Sequence, residues 1–272
     1  MIEDESGSSQ VAAAQLAQVR RLEANSFRSF PASTTIYDGT WVIRLTEDYP
    51  AKRLNSVNPL DPSDTRAIES RLVSACDHFH AIGRPGVFRL SPLSPQGLAD
   101  LLVAKNWQRF DESIVMAVDL DLIDLSSELD RLPLQDLGSW VSSFLYLSND
   151  DQNLAAKLVE VIGNIEAVSG LFVIGEDEIP TSALRCVHDR DLVGIFDVVV
   201  DKEYRAKGYG KSILTGALKW AKANGASRAW LQVTADNQSA IKLYERFGFK
   251  EVYRYAYYQE PDDQPFLPLK FG

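Results

Sequence analysis

Cysteine and histidine are scarce in this chain of 272 residues, which has two cysteines and three histidines. Cys76 and Cys186 lie far apart, without the C-x-x-C spacing of a zinc or redox motif, so a disulfide framework is not expected either. His78 and His80 stand two positions apart and would point to different sides of a helix. We therefore expect no metal site, and a reducing, cytoplasmic setting.

Two further absences exclude classes of partner. No uninterrupted apolar run approaches the roughly 18 residues that a membrane-spanning helix needs, and the acidic, polar N-terminus does not resemble a secretory signal. The chain also lacks a basic excess, since 28 Lys and Arg stand against 38 Asp and Glu for a net charge of −10. We therefore expect neither a membrane nor a nucleic acid as partner, whereas such a surface would attract a cationic amine.

The segment Leu192–Ser212, which reads LVGIFDVVVDKEYRAKGYGKS, is the most informative stretch that is present. Its first nine residues are apolar and rich in β-branched side chains, which is typical of a buried strand. A basic loop with two glycines follows, and the pattern becomes helical from Lys211. Loop amides, the positive end of a helix and glycines that allow close approach are together suited to holding phosphates.

Helix and strand patterns alternate along the chain, and its two halves are related by a constant offset of 142 residues. Gly83 and Gly225, which both end predicted helices, are one pair at this offset. Leu102 and Tyr244 on the next predicted helices are another. The register continues without a gap over about 65 residues, and a chance register between two α/β segments is the alternative.

The repeat predicts an α/β fold made of two copies of one unit, which we place at residues 1–128 and 129–272. The two copies differ in the phosphate loop. The two loop glycines of the second copy correspond to Arg66 and Ile68 in the first, and these side chains prevent the same close backbone approach. We therefore expect a single phosphate site, in the second copy.

Two motifs make the phosphate site more specific. Arg205–Gly210 reads R-x-x-G-x-G. A nucleotide-triphosphate P-loop requires a glycine at the position where this chain has Arg205, so we do not expect such a site. Asn237–Phe249 reads N-x-x-A-x-x-L-Y-x-x-F-G-F. In this order, the two motifs resemble the GNAT superfamily of acetyl-CoA-dependent N-acyltransferases. The resemblance covers about Leu137–Tyr258, and the first half resembles a degenerate member of the same fold, as in tandem-GNAT proteins. It implies an α/β (α+β) fold with two tandem GNAT-like domains, each a mixed, mostly antiparallel sheet flanked by helices.

The resemblance implies acetyl-CoA or coenzyme A as cofactor, and direct attack of a primary amine on acetyl-CoA in a ternary complex. The pyrophosphate is expected on the loop amides and the pantetheine arm along the preceding strand, where a β-bulge would open the needed gap. Asn237 is expected near pantetheine, with a helix N-cap as its alternative role. The expected cofactor-binding residues are Val198, Val199, Val200, Arg205, Ala206, Lys207, Gly208, Tyr209, Gly210, Lys211, Ser212, Asn237 and Tyr244.

Two residues are the catalytic candidates. Tyr244 is expected to be the general acid that protonates the departing thiolate, and a core aromatic is its alternative role. Asp197 is the candidate base for the amine, although it could equally pair with a basic residue or satisfy buried backbone. Asp150 and Asp151 could instead attract the acceptor, or could simply begin an exposed helix.

The sequence leaves the acceptor amine open. It could belong to a small molecule or to a peptide N-terminus or lysine, and would lie between residues 137–165, the strand ends and the first copy. A non-catalytic acyl-CoA-binding or sensing module of the same fold is the alternative function, and an interface scaffold is a third. The acyl length is undetermined, and a homodimer is possible.

Overall fold

The computed structural model describes residues 3–126, 130–177 and 179–261. The predicted domain boundary between residues 128 and 129, and residues 262–272 of the predicted tail, lie outside this description. None of the helices in the described ranges combines the length and apolar character needed to cross a membrane. The α-helices are α1 (Glu3–Ser29), α2 (Ile68–His80), α3 (Leu98–Ala104), α4 (Leu137–Ser148), α5 (Ala155–Gly163), α6 (Tyr209–Ala223) and α7 (Gln238–Arg246).

Within the described ranges, ten strands form one continuous sheet. They are β1 (Thr34–Asp38), β2 (Trp41–Leu45), β3 (Ser56–Pro59), β4 (Val87–Leu90), β5 (Gln108–Asp119), β6 (Val168–Glu176), β7 (Ile179–Asp189), β8 (Leu192–Val200), β9 (Arg228–Thr234) and β10 (Lys250–Gln259). Their order across the sheet is β1-β2-β3-β4-β10-β5-β9-β8-β7-β6. Neighbours are antiparallel except for the parallel pairs β3–β4 and β8–β9. The predicted α/β fold with a mixed, mostly antiparallel sheet flanked by helices is confirmed.

The last strand of each half lies within the other half's part of the sheet. β10 lies between β4 and β5, and β5 lies between β10 and β9. The paired residues Ser113 and Tyr255 are 142 positions apart, which is the offset of the repeat. Strands from the two halves therefore alternate at the centre of the sheet, in the order β4-β10-β5-β9.

Helices cover both faces of the sheet, and neighbouring residues of β10 show which helices share a face. Ala256 packs in the cluster that α2 and α3 cover, whereas Tyr257 packs in the cluster under α1. In β5, Met116 packs with α6 and α7, whereas Val115 packs under α1. Side chains alternate along a strand, so α2, α3, α6 and α7 share one face. Helices α4 and α5 pack on the other face with Ala183 of β7.

Helix α1 joins the two halves across the second face. Its buried Glu23 accepts hydrogen bonds from Arg89 of β4 and from Tyr253 of β10. Its Asn25 accepts a hydrogen bond of 2.8 Å from the indole Nε1 of Trp230 in β9. Because α1 contacts strands from both halves, it fixes how they meet.

Candidate active site

Strand β8 contains the β-bulge that its sequence suggested. Arg185 of β7 pairs with Phe196, and Ala183 pairs with Val199, so two residues of β8 stand opposite one residue of β7. The two residues of β8 between these pairs are Asp197 and Val198. Asp197 has a left-handed φ of +54°. An extra residue in one strand bends that strand and interrupts its ladder.

A gap opens between β8 and β9 beyond this bulge. The parallel pairing of the two strands runs from Leu192 to Ile195 on β8, and both strands then continue without pairing to each other. The backbone of Val198–Val200 therefore keeps an edge free toward β9. An extended chain of amide groups, such as pantetheine, can pair with a free strand edge.

The loop after β8 leads into an uncapped helix. Ala206 and Gly208 have left-handed φ values of 59° and 93°, and residues 205–208 are exposed. No described side chain caps the N-terminus of α6. The amides of the first helical turn lack intrahelical acceptors, so this end of α6 presents donors and positive potential to an anion.

The side chains of the loop hold its shape as well as supplying charge. Arg205 donates from Nε to the carbonyl oxygen of Val200 at 3.3 Å, which ties the loop to β8. Lys207 lies over the ring of Tyr204, and the hydroxyl of Tyr209 bonds to Glu176. The basic residues thus have partners on the protein in addition to any role toward phosphate.

The two loop glycines are needed for different reasons. A Cβ on Gly208 would meet no atom within 4 Å, so this position depends on glycine through its left-handed backbone. A Cβ on Gly210 would lie 3.3 Å from Cδ2 of Leu243 and 3.6 Å from Cγ2 of Val200. Gly210 therefore lets α6 pack closely against α7 and β8, a role that the sequence prediction did not include.

Arg131 is a residue at this site that sequence reasoning missed. It donates from Nη2 to the hydroxyl of Ser212 at 2.9 Å, in the first turn of α6. Its aliphatic stem lies against Gly216, whose added Cβ would come within 2.7 Å of it. Since Arg131 is far from the loop in sequence and belongs to no motif, no local signal could have identified it.

Helix α7 brings the second motif beside the loop. The side chain of Asn237 accepts a hydrogen bond of 3.1 Å from the Ala240 amide, which is the N-cap role weighed as its alternative. Tyr244 is 6% exposed and packs in the apolar cluster of α6 and α7, with its ring centroid 5.9 Å from that of Phe249. Burial raises the pKa of the Tyr244 phenol above its ordinary value of 10.

Asp197 pairs with a basic residue, which is one of the alternative roles that the sequence left open for it. Its Oδ2 accepts a hydrogen bond of 2.7 Å from Nε of Arg185, whose side chain is fully buried. Nη1 of Arg185 donates to the carbonyl oxygen of Ser29 at the end of α1. The role of Asp197 as the base stays a prediction.

The first half contributes to the side of the gap that faces α4 and α5. Tyr49 is buried there among residues of α4 and α5. Burial and the charge of Asp197 raise the pKa of its phenol, and the charge of Asp150 acts in the same direction. Burial also raises the pKa of Asp150, and its buried Oδ2 has no hydrogen-bond partner in the described ranges. Its neighbour Asp151 instead caps the following turn by accepting from the Asn153 amide.

The corresponding loop of the first half holds an anion of its own. The buried carboxylate of Asp64 accepts hydrogen bonds from the Thr40 hydroxyl at 2.7 Å, from Arg71 at 3.1 Å and from Arg66 at 3.3 Å. The Thr40 hydroxyl and the two guanidinium groups hold the pKa of this carboxyl well below its ordinary value. Ala67, the residue before α2, is left-handed like Gly208 before α6, but the neighbouring carboxylate would repel a phosphate.

A cavity of about 510 Å³ lies elsewhere, between the end of α1, the β1–β2 hairpin and the start of β6. Phe27, Arg44 and Asp189 are among its lining residues. None of the predicted site residues lines it, so it is separate from the gap between β8 and β9.

Comparisons with known proteins agree with this geometry. Residues 130–249 match the sequence model of the Acetyltransferase (GNAT) family. Over 247 residues the chain is 28% identical to the uncharacterized N-acetyltransferase YobR of Bacillus subtilis, an alignment that covers 88% of this chain and 97% of that protein.

Two solved structures share the fold. A GCN5-related N-acetyltransferase from Kribbella flavida has a TM-score of 0.68 at 17% identity, over 90% of this chain and 95% of its own. A tandem GNAT protein from the clavulanic acid biosynthesis pathway has a TM-score of 0.58 at 13% identity, over 88% of this chain and 87% of its own. At such identities these two similarities concern the fold alone.

Proposed function

We propose that the chain transfers an acetyl group from acetyl-CoA to a primary amine in a ternary complex. The match of residues 130–249 to the sequence model of the Acetyltransferase (GNAT) family supports this proposal. The observation that carries this proposal is the combination of a bulged, splayed strand β8 with an uncapped helix at its open end. The first feature suits an extended chain of amides, and the second suits its phosphates.

The residues present fit coenzyme A in charge and shape. The backbone amides of Arg205, Ala206, Lys207, Gly208, Tyr209, Gly210 and Lys211, with the Ser212 hydroxyl nearby, would hold the pyrophosphate. The free edge of Val198, Val199 and Val200 would pair with the pantetheine arm. Arg131 brings one more cation to the first turn of α6. Arg131 thus joins the loop residues Arg205, Lys207 and Lys211 beside the positive end of α6. Four cationic side chains so placed repel one another unless an anion lies between them, which favours a polyanionic ligand.

Acetyl-CoA supplies the activated thioester, and the protein supplies positioning and a proton. Holding the amine and the thioester together removes much of the entropic barrier to their reaction. Tyr244 would give its proton to the departing sulfur. Asn237 would act by fixing the start of α7 through its N-cap, and thereby the place of Tyr244.

We further propose that the chain is a tandem of two GNAT-like copies, residues 1–128 and 129–272, with a single active site in the second. The constant offset of 142 residues and the shared order of elements support the duplication, as does the fold of the tandem GNAT protein. In the first copy the corresponding loop contains the buried carboxylate of Asp64, which is bonded to Thr40, Arg66 and Arg71. Leu102 stands at the position of Tyr244. Neither can perform the role of its counterpart.

The acceptor class that we propose is a primary amine on a small molecule or a peptide. The surface that would select it combines α4, α5 and Tyr49 of the first half. Asp150 and Asp197 place carboxylates in this region, whereas Arg53 and Arg185 oppose their charge at Tyr49. The preference for a cationic amine therefore rests on the overall acidic charge of the chain.

Titration calorimetry with acetyl-CoA and coenzyme A tests the donor site, and release of free thiol across a panel of amines tests the reaction. We expect binding of both ligands and thiol release that depends on an amine. Absence of binding would refute the proposed function. Binding without thiol release for any amine would instead favour the acyl-CoA sensor.

Exchanging Gly208 for valine is expected to weaken acetyl-CoA binding by about five- to thirtyfold. A β-branched residue in the left-handed conformation costs roughly 1–2 kcal/mol, and each 1.4 kcal/mol is a tenfold change in affinity. Gly225→Val is the matched control, because Gly225 has a similar φ of +98° and equally open surroundings at the end of α6. Equal affinities of the two variants by calorimetry would exclude Gly208 from the donor site.

A further inference from the structure

Asp197 has an unusual backbone for its position. It lies inside β8, yet its φ of +54° is left-handed, a conformation that side chains other than those of glycine, asparagine and aspartate rarely adopt. Such a residue persists where its surroundings hold it in place. The neighbouring contacts should therefore include a group that restrains Asp197.

Arg185 is that group. It is fully buried on the adjacent strand β7, and its Nε donates to Oδ2 of Asp197 at 2.7 Å. Its guanidinium carbon lies 4.8 Å from the ring centroid of Phe196 and 5.0 Å from that of Phe30. Nη1 donates to the carbonyl oxygen of Ser29 at 3.1 Å. The guanidinium is thus restrained by β8 on one side and by the end of α1 on the other.

These contacts join the bulge to the first half of the chain. Ser29 is the last residue of α1 and Phe30 follows it, and α1 is also bonded to Arg89 and Trp230. The bulge determines where β8 leaves β9. A group that fixes the bulge therefore fixes the width of the gap.

We propose that Arg185 is a positioning residue, which locks the bulge at Asp197 open for the acyl donor and couples it to α1 of the first half. Asp197 then acts by accepting from Arg185 and not as the base. That the gap receives the donor rests on the proposed function, whereas the lock itself is a property of the protein alone.

The two roles of Asp197 make different predictions. If Asp197 is the base, its loss removes turnover and leaves donor affinity intact. If it is part of the lock, donor affinity and turnover at low acetyl-CoA concentration fall together. Moreover, removing both members of a buried ion pair lowers the stability of the protein less than removing one, because no unpaired charge remains in the interior.

The test compares Arg185→Met, Arg185→Lys and the double variant Arg185→Met with Asp197→Asn, since asparagine also tolerates the left-handed conformation. Arg89→Met is the matched control, because it breaks another buried ion pair to α1, with Glu23, away from the gap. The readouts are hydrogen exchange of the amides of Val198–Val200 without ligand, the dissociation constant for acetyl-CoA, and the KM and kcat values.

Arg185→Met is expected to speed exchange at these amides and to raise the dissociation constant and KM for acetyl-CoA about tenfold, with kcat within threefold. Arg185→Lys should recover part of the affinity. The double variant should regain the stability that the unpaired Asp197 carboxylate costs and keep kcat within threefold of that of Arg185→Met. Its exchange and acetyl-CoA affinity should stay as in Arg185→Met, because the lock is still absent. Arg89→Met should lower stability without changing exchange at Val198–Val200.

Two results would overturn the proposal. One is exchange at Val198–Val200 that is the same in Arg185→Met and in Arg89→Met. The other is a double variant whose kcat falls a hundredfold below that of Arg185→Met, which would make Asp197 the base. If the wild type binds no acetyl-CoA, the proposed function fails, and the exchange comparison still decides whether Arg185 locks the bulge.

Discussion

Residues 1–128 and 129–272, produced as separate chains, are expected to give no folded monomer of either, whereas the two produced together should form a complex with the fold of the intact protein. The physical reason is the exchange of last strands. Without the second chain, β4 and β5 of the first lose the strand that lies between them. Without the first chain, β9 and β10 lose β5 in the same way.

The apolar groups near the exchanged strands increase this effect. Val115 of β5 and Tyr257 of β10 are buried in one cluster with Leu22 of α1 and Trp230 of β9. Burying a large apolar side chain stabilises a protein by about 1.5–3 kcal/mol, and the whole domain is stable by about 5–15 kcal/mol. Loss of several such groups exceeds what either half could tolerate.

Circular dichroism, size exclusion and urea titration check this prediction. Each chain alone should show no cooperative unfolding as a monomer, and the co-produced pair should match the intact protein in its spectrum and unfolding midpoint. Because Ser113 and Tyr255 are counterparts in the repeat, one half could still pair with a second copy of itself. A folded homodimer would thus agree with the exchange, whereas a folded monomer would contradict it.

The features that the sequence predicted well are local ones. Leu192–Val200 forms a strand with the predicted bounds because its apolar, β-branched run has one strong preference. Glycines at positive φ end helices at Gly225 and Gly248 as their positions suggested. The bulge in β8 was also expected, although its residue was not.

Elements with weak local signals were missed or displaced. β1, which reads TTIYD, is largely exposed and lacks the apolar alternation of a half-buried strand. Helix α2 begins at Ile68, after a loop in which the side chain of Asp64 bonds to Thr40 and Arg71. These contacts join residues far apart in the sequence, and a window of neighbouring residues does not contain them.

The non-local features of the site were beyond sequence reasoning for the same reason. The pairing of Arg185 with Asp197 depends on the register of β7 against β8. The place of β10 between β4 and β5 depends on the whole sheet. A repeat of 142 residues predicts two similar units, but it does not show that they exchange strands.

Tyr244→Phe is expected to lower kcat about a hundredfold and to leave the affinity for acetyl-CoA within twofold. General acid catalysis contributes roughly 10²–10⁴-fold to a rate. Phenylalanine keeps the ring that packs against Phe249 and removes the proton that the departing sulfur would take. The affinity should hold because the proposed donor contacts are made by the loop and by β8.

Burial affects the pKa of both groups in the proposed proton transfer, the Tyr244 phenol and the leaving thiol. It raises the pKa of the Tyr244 phenol above 10, which would oppose transfer to a thiolate of ordinary basicity, near 8.5. However, burial acts on thiols too, since it raises the pKa of Cys186 in the same cluster to about 12. A thiolate leaving into this environment would be similarly basic, so the phenol can protonate it without a large energetic penalty.

The pH dependence of kcat follows from the direction of this shift. A phenol acts as an acid only below its pKa, and burial moves that pKa upward, so kcat should show no fall due to Tyr244 up to pH 10. Steady-state kinetics of the wild type, of Tyr244→Phe and of the control Tyr253→Phe check both expectations. Tyr253 is equally buried but faces Glu23 on the opposite side of the sheet, so its variant should lose stability and not turnover. Wild-type kcat in Tyr244→Phe with a competent amine would remove Tyr244 from the mechanism.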